Sequence, residues 1–110
     1  MKRICIAAAL VALAVGTSTL QAQAQDGAAL YTRNCASCHG ATGTPNPRMV
    51  QSLGAIPDLS DPALQRSLAD STISNVIVHG KGRAMRAPRT PYTPEQVRAL
   101  VTYVRSLRRS

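Results

Sequence analysis

Hydrophobic and polar positions alternate most regularly near the C-terminus, where residues 93–109 read TPEQVRALVTYVRSLRR. Apolar side chains recur there at steps of three and four, which is the spacing of one face of an α-helix. Thr93 and Gln96 have the spacing of a capping box, and Pro94 takes the first helical position. We therefore predict an amphipathic helix that begins after Thr93. Its apolar face consists of Val97, Leu100, Val101, Val104 and Leu107.

Two shorter helices are predicted in the middle of the chain. In SDPALQRSLAD, Ser60 or Asp61 can cap a helix that starts at Pro62. In STISNVIVH, three apolar side chains share one helical face, and Gly80 follows as a C-terminal cap. The many β-branched residues of STISNVIVH also suit a strand. Because no other segment predicts a partner strand, we favour a helix.

The N-terminal half predicts one further helix and a long loop. DGAALYTRN, residues 26–34, places Leu30 and Tyr31 on an apolar side, with Asp26 as its N-cap. ATGTPNPRMVQSLGAIPDLS, residues 41–60, is rich in Gly, Pro, Ser and Thr and has no sustained period, which predicts mostly loop. The predicted fold class is therefore all-α.

The first 24 residues have the pattern of an export signal. MKR is a cationic start, ICIAAALVALAV an apolar run, and GTSTLQAQA a small and polar end that closes with the A-x-A pattern. The apolar run is about half the length that a membrane-spanning helix needs. We therefore predict that residues 1–24 are a signal peptide cleaved after Ala24, and that residues 25–110 form a periplasmic domain without a stable membrane span. Cys5 would leave with the signal peptide.

Size and charge restrict what this domain can be. Removal of residues 1–24 from the 110 leaves 86, enough for one small domain. The chain has no Trp, no Phe and three Tyr, and domains with so little core commonly depend on a disulfide, a metal or a cofactor. Without Lys2 and Arg3 there are 11 basic and 5 acidic residues, a formal charge of +6. That excess favours acidic protein partners, anionic membranes or nucleic acid, and export argues against nucleic acid.

Both remaining cysteines lie in the motif CASCH, residues 35–39. Composition alone is compatible with a disulfide, a zinc site or a haem. A disulfide across so short a loop adds little stability, and a thioredoxin-like redox pair would need a βαβ pattern. A zinc site would have to use the adjacent Cys38 and His39, which form an awkward chelate. Two thiols three residues apart, followed at once by a histidine, match the c-type haem attachment pattern.

The pattern has a mechanical reason. On one helical turn Cys35 and Cys38 project toward the same side, so each can add to a vinyl group of the haem. His39 can then present its imidazole to the iron. We predict one covalent haem c held by Cys35 and Cys38, with His39 as an iron ligand.

A single methionine stands in the cationic segment VHGKGRAMRAPRTP, residues 78–91. Met85 has only Ala84 and Ala87 as apolar neighbours within two residues, so a core role is hard to assign to it. It lies far enough from CASCH to reach the opposite face of a haem. Met49 follows the motif by only ten residues, and His79 ends a predicted helix. We therefore predict that Met85 is the second axial ligand.

Three stretches resemble a bacterial class I monohaem cytochrome c: GAALYTRNCASCHGATGTP, PDLSDPALQRSLADSTISNVIVHGKGRAM and YTPEQVRALVTYVRSL. The resemblance covers essentially the whole of residues 25–110. It implies a small cytochrome c fold, with about four short helices around one covalently bound haem. It also implies that the first and last helices cross, so that Gly27 and Tyr31 would meet Leu100 and Tyr103.

The resemblance further implies roles for individual residues on both sides of the haem. The carbonyl of Pro57, in IPDLS, would accept a hydrogen bond from Nδ1–H of His39, which would orient the ring and strengthen it as an iron donor. The axial methionine of the family follows a G-K-G-x-x run, as Met85 does here. In the family, proline usually comes directly after that methionine, whereas this chain has Arg86.

The predicted function is one-electron transport by a periplasmic carrier rather than enzymatic catalysis. Four cations around Met85 would surround the haem edge and steer acidic redox partners toward it: Lys81, Arg83, Arg86 and Arg89. We expect a monomer that forms transient complexes with a periplasmic dehydrogenase as donor and with a terminal oxidase or reductase as acceptor. The alternatives are a dedicated haem subunit of a periplasmic dehydrogenase complex and, if Met85 does not ligate, a gas-binding or peroxidatic haem protein.

Overall fold

The computed structural model describes residues 18–110, which form a predominantly helical fold, as predicted. Residues 1–17, which contain most of the predicted signal peptide, lie outside the described residues. The helices are α1 (Ser18–Asn34), α2 (Ala36–His39), α3 (Pro47–Leu53), α4 (Pro62–Ser67), α5 (Asp70–His79) and α6 (Pro94–Ser106). Between α5 and α6, strand β1 (Gly80–Lys81) pairs antiparallel with strand β2 (Met85–Arg86).

Hydrogen bonds to capping side chains determine where α4 and α6 begin. At α6, the Thr93 side chain accepts from the Gln96 backbone N–H at 3.2 Å, and the Gln96 side chain accepts from the Thr93 N–H at 2.9 Å. At α4, the Asp61 side chain accepts from the Ala63 N–H at 2.8 Å. Both N-caps were predicted, because the signal lies within four consecutive residues.

Two predicted boundaries are wrong. Asp26 does not cap the first helix, because α1 already begins at Ser18 and the intervening Leu, Gln and Ala residues favour helix. The segment at residues 41–60 is not mostly loop, because it contains α3. There Asn46 caps the helix by accepting from the Arg48 N–H at 3.1 Å, and Pro47 takes the first helical position.

The core lies where α1 crosses α6. A Cβ built on Gly27 would lie 2.9 Å from the Ala99 carbonyl carbon and closer still to its oxygen, so the two helices touch through their backbones at this point. One turn further along, the rings of Tyr31 and Tyr103 have centroids 5.1 Å apart. The predicted crossing is therefore present, with Gly27 against the Ala99 backbone and Tyr103, and Tyr31 against Tyr103. The buried apolar residues are Leu30, Tyr31, Ile73, Ala99, Leu100, Val101 and Val104.

Two polar side chains connect α6 to the helices before it. The buried Gln65 on α4 donates its Nε2–H groups to the carbonyls of Leu59 at 2.6 Å and Val104 at 2.9 Å. Arg105 on α6 donates to the Asp70 carboxylate at 2.8 Å and to the Leu68 carbonyl. The bonds that involve α6 join residues 35 to 39 positions apart, and no local sequence signal indicates them.

Within residues 18–110, none of the helices has both the length and the apolarity needed to cross a bilayer.

Candidate haem-binding site

A cavity of about 1080 Å³ lies beside the α1–α6 crossing, bounded by α2, α4, α5 and the segment after β2. Its size is near the upper end of the range for small-molecule and cofactor sites, ~300–1,000 Å³. All five predicted site residues line it: Cys35, Cys38, His39, Pro57 and Met85. Much of the remaining wall is aliphatic, from Leu59, Leu64, Leu68, Ile73, Val76, Ile77, Leu100 and Val104. The five predicted site residues, which are up to 50 positions apart in sequence, therefore line one largely apolar space.

The CASCH motif forms a helical turn on the wall of this cavity. The backbone N–H of Cys35 bonds to the Tyr31 carbonyl at 2.8 Å, and the N–H of His39 bonds to the Cys35 carbonyl at 2.9 Å. Cys35 and Cys38 are both free thiols, and both line the cavity. This is the arrangement that two thioether bonds to one flat group require.

The alternatives to haem attachment find less support. No group of three or more His, Cys, Asp and Glu side chains able to hold a metal ion occurs in the part of the chain that the structure describes. Among those same residues the β-structure consists of β1 and β2, two residues each, so a thioredoxin-like βαβ arrangement is missing.

Burial favours the uncharged forms of the Cys35 thiol and the His39 imidazole. It raises the pKa of the Cys35 thiol to about 11, with a smaller contribution from Cys38, so Cys35 is uncharged at neutral pH. Burial also lowers the pKa of His39, and the Pro57 carbonyl opposes that effect only in part. The His39 imidazole is therefore neutral at neutral pH, which is the form that binds a metal.

The Nδ1 atom of His39 is buried and has no hydrogen-bond partner among the described residues. Pro57 is the neighbour whose carbonyl stabilises the protonated ring, so it is the acceptor best placed to receive an Nδ1–H bond. A proton on Nδ1 would leave the other ring nitrogen free to act as a ligand.

Met85 reaches the cavity from β2. Its side chain is partly buried, and its backbone pairs with Lys81 across the two-strand ladder. The other two candidates for a distal ligand do not line the cavity. Met49 belongs to α3, and His79 is exposed, with its Nδ1 atom 3.1 Å from the Asn75 carbonyl oxygen.

The cationic residues around Met85 divide into two groups. Lys81, Arg86 and Arg89 line the cavity, whereas Arg83 at the tip of the hairpin does not. All four are exposed, and Arg86 donates to the Arg83 carbonyl at 3.4 Å. The positive charge expected at the edge of the site is therefore present.

The sequence did not indicate what holds the Pro57 segment in place. The Asp58 carboxylate accepts from the backbone N–H of Ser60 at 2.9 Å and from its hydroxyl at 2.5 Å. Arg109 donates its backbone N–H to the Ser60 carbonyl at 2.9 Å, and its guanidinium lies 3.4 Å from Asp58. Ser60 is 1% exposed, so it belongs to the buried structure that supports the Pro57 segment. Only the Asp-x-Ser spacing could have suggested the local part of this network.

Comparison with known proteins gives a consistent result. The sequence model described as "Cytochrome C oxidase, cbb3-type, subunit III" matches residues 22–104. Subunit FixP of the cbb3-type cytochrome c oxidase of Azorhizobium caulinodans is 34% identical over 84 residues, which are 76% of this chain and 27% of FixP. FixP of Bradyrhizobium sp. is 31% identical over 81 residues, 74% of this chain and 26% of FixP. The chain thus spans about a quarter of the length of these relatives.

A solved structure supports the same assignment. The KustC0563 c-type cytochrome is 34% identical and superposes with a TM-score of 0.68, covering 76% of this chain and 99% of its own. Proteins of this kind carry covalently bound haem c, and the free thiols, the neutral buried imidazole and the apolar walls of the cavity fit such a group. The chain therefore belongs to the family of cbb3-type cytochrome c oxidase subunit III and has the fold of a c-type cytochrome.

Proposed function

We propose that this protein is a one-electron carrier in which Cys35 and Cys38 hold one haem c and in which His39 and Met85 are the axial ligands of its iron. The observation that carries the proposal is that these four side chains line the same cavity. When bound, the haem supplies one-electron Fe(III)/Fe(II) chemistry.

The residues around the haem would have three roles: attachment, orientation of His39 and exclusion of water. Cys35 and Cys38 would prevent loss of the cofactor. The Pro57 carbonyl would orient His39 through Nδ1–H. The aliphatic side chains from α4, α5 and α6 would exclude water, and low polarity around a haem is one of the means by which a protein sets its potential. With both axial positions filled by protein, no position at the iron would remain for a substrate.

The charge distribution supports acidic redox partners. No Asp or Glu occurs in the sequence between Asp70 and Glu95, the stretch that contains the four cations near Met85. A surface of one sign beside a redox centre steers partners of the opposite sign and allows a small, transient interface. We therefore propose a periplasmic dehydrogenase as donor and a terminal oxidase or reductase as acceptor.

Periplasmic location is a proposal that rests on residues 1–24, with their cationic start, apolar run and A-x-A pattern. A purified native protein whose first residue is Gln25 would establish cleavage after Ala24. A first residue upstream of Gln25 would refute it.

A second candidate function is that of a haem-bearing part of a larger oxidoreductase complex. It is favoured by the relatives, which are named as subunits of a cbb3-type oxidase and are about four times as long as the matched region. Isolation of the native protein under mild conditions distinguishes the two functions. A carrier would purify alone, whereas a subunit would purify with its complex.

Spectra of the ferric protein and of Met85→Ala test the proposed ligands. We expect the wild-type protein to show the far-red absorption band of a methionine sulfur bound to ferric haem, and Met85→Ala to lose it. Met49→Ala is the matched control and should keep the band, because Met49 does not line the cavity.

Two results would overturn the axial assignment. One is a band that survives in Met85→Ala. The other is rapid binding of carbon monoxide to the reduced wild-type protein at neutral pH, which would favour the gas-binding or peroxidatic alternative. Absence of covalent haem from the wild-type protein would overturn the proposed function as a whole.

A further inference from the structure

Met85 belongs to a short hairpin whose backbone is closely packed. In β1 and β2, Gly80 pairs with Arg86 and Lys81 pairs with Met85. Gly82, Arg83 and Ala84 form the connection, and Gly82 has a φ of +66°. Gly80 also ends α5, since its N–H bonds to the Val76 carbonyl. The hairpin therefore joins the end of a helix that lines the cavity to the residue predicted to bind the iron.

Gly80 and Gly82 differ in one respect that matters for Met85. Both have left-handed backbone conformations, with φ of +74° and +66°. A Cβ on Gly80 would lie 2.6 Å from the Ala87 nitrogen, 2.8 Å from the Arg86 carbonyl carbon and closer still to the Met85 carbonyl oxygen. A Cβ on Gly82 would meet nothing within 4 Å. At position 80 the hairpin requires both a positive φ and the absence of a side chain, whereas at position 82 it requires only the positive φ.

This close approach holds the Met85 backbone against the end of α5. A ladder of two residues on each strand is weak in isolation, so its geometry depends on such contacts. Arg86 stands where the resemblance to class I cytochromes c implied a proline. Unlike proline, it has a backbone N–H and suits a residue paired in a strand.

We propose that Gly80 is a positioning residue for Met85, because the close packing of the hairpin at Gly80 holds the Met85 backbone in place. The inference rests on the axial ligation proposed above. It goes beyond that proposal because the stability of the Met85–iron bond would depend on backbone packing at Gly80, a residue that does not bind the iron.

The test compares Gly80→Ala with Gly82→Ala in the haem-loaded protein. Both substitutions place a side chain at a positive φ, but only Gly80→Ala adds a collision with Met85, Arg86 and Ala87. We expect Gly82→Ala to retain the sulfur-to-iron band. Gly80→Ala should lose the band, and imidazole should bind its ferric haem about tenfold more tightly or better, because a larger fraction of molecules has the sixth position free.

A second pair addresses the possibility that Gly80→Ala does not fold. Lys81→Pro removes one backbone N–H from the hairpin, and Lys81→Gln removes the same charge but keeps that N–H. We expect Lys81→Pro to weaken the band and to strengthen imidazole binding relative to Lys81→Gln. The inference is overturned if Gly80→Ala folds and matches Gly82→Ala in both measurements, or if the two Lys81 variants are equal. A wild-type protein without the band would instead refute Met85 as ligand.

Discussion

At the scale of single residues, the positions that matter most are small or polar ones whose role depends on their neighbours. CASCH could be interpreted from the sequence because its members lie on one helical turn. Gly27 was expected at a helix crossing only through a family resemblance, and its actual contact, the Ala99 carbonyl, required the structure. The sequence indicated Ser60 only as a possible helix cap, although it is 1% exposed and joins three segments of the chain.

We expect Gly27→Ala to destabilise the haem-loaded protein by about 1–3 kcal/mol, because the added methyl group would force α1 away from α6. In a helix without such a contact, the same substitution would stabilise by about 1 kcal/mol, since alanine has the higher helix propensity. Urea unfolding followed by circular dichroism measures the difference.

Ala29→Gly provides the matched control for Gly27→Ala. Ala29 is exposed on the same helix, so its replacement should cost only about 1 kcal/mol of helix propensity. A Gly27→Ala protein more stable than the wild type would contradict the backbone contact.

At the scale of elements, the helices with local caps were predictable and the contacts between elements were not. The N-caps and Pro positions of α4 and α6 lie within a few residues, so propensity and capping determine where these helices begin. α3 was missed because residues 41–60 are rich in Gly, Pro, Ser and Thr, which favours a loop, although Asn46 and Pro47 form a capping signal. The Pro57 segment takes its position from Gly43, Thr44, Gln65 and Arg109, which no local pattern connects to it.

The Asp58–Ser60 contact makes the stability of this segment depend on pH. The Ser60 side chain, and to a lesser extent its backbone and Arg109, lower the pKa of Asp58 below its ordinary 3.8. A carboxylate with a lowered pKa stabilises the folded state above its unfolded pKa, and that contribution is lost as the pH falls through the folded pKa. We therefore expect Ser60→Ala to cost about 1 kcal/mol near neutral pH and less in acid.

Urea unfolding of wild type and Ser60→Ala across the acid range tests this expectation. The difference in unfolding free energy should be largest above pH 3.8 and should shrink below it. Ser67→Ala serves as control, because the exposed Ser67 hydroxyl donates to the Leu64 carbonyl instead of a carboxylate. A wild-type to Ser60→Ala difference that stays constant with pH would sink the explanation.

At the scale of the whole molecule, the cavity and the charge distribution matter most. A chain with few aromatic residues builds its core around one helix crossing and leaves a space of about 1080 Å³ next to it. Lys81, Arg86 and Arg89 lie at the edge of that space. The net positive charge was evident from composition, but composition could not place any of it beside the cavity.

The placement of charge predicts how electron exchange depends on salt. The rate of reduction or oxidation by an anionic iron complex should fall as the ionic strength rises, because screening weakens the attraction. Arg89→Gln, which removes a charge from the cavity lining, should slow this reaction at low salt and flatten its salt dependence. Stopped-flow absorbance of the haem measures both quantities.

Arg108→Gln is the control for charge, since it removes one positive charge near the C-terminus, away from the cavity lining. Its rates should stay close to those of the wild type at each ionic strength. Equal effects of the two substitutions, or rates that do not change with salt, would refute a charged docking surface around Met85.

The sequence by itself determined the features that depend on neighbouring residues: the helical turn that places Cys35, Cys38 and His39 together, the caps of α4 and α6, and the excess of positive charge. Tertiary structure alone decided which distant residues face one another. It brought Pro57 and Met85 to the same cavity as the CASCH turn, and it closed the hairpin on Gly80. The physical reason is that capping and helical spacing act over a few residues, whereas the relative positions of helices result from packing over the whole chain.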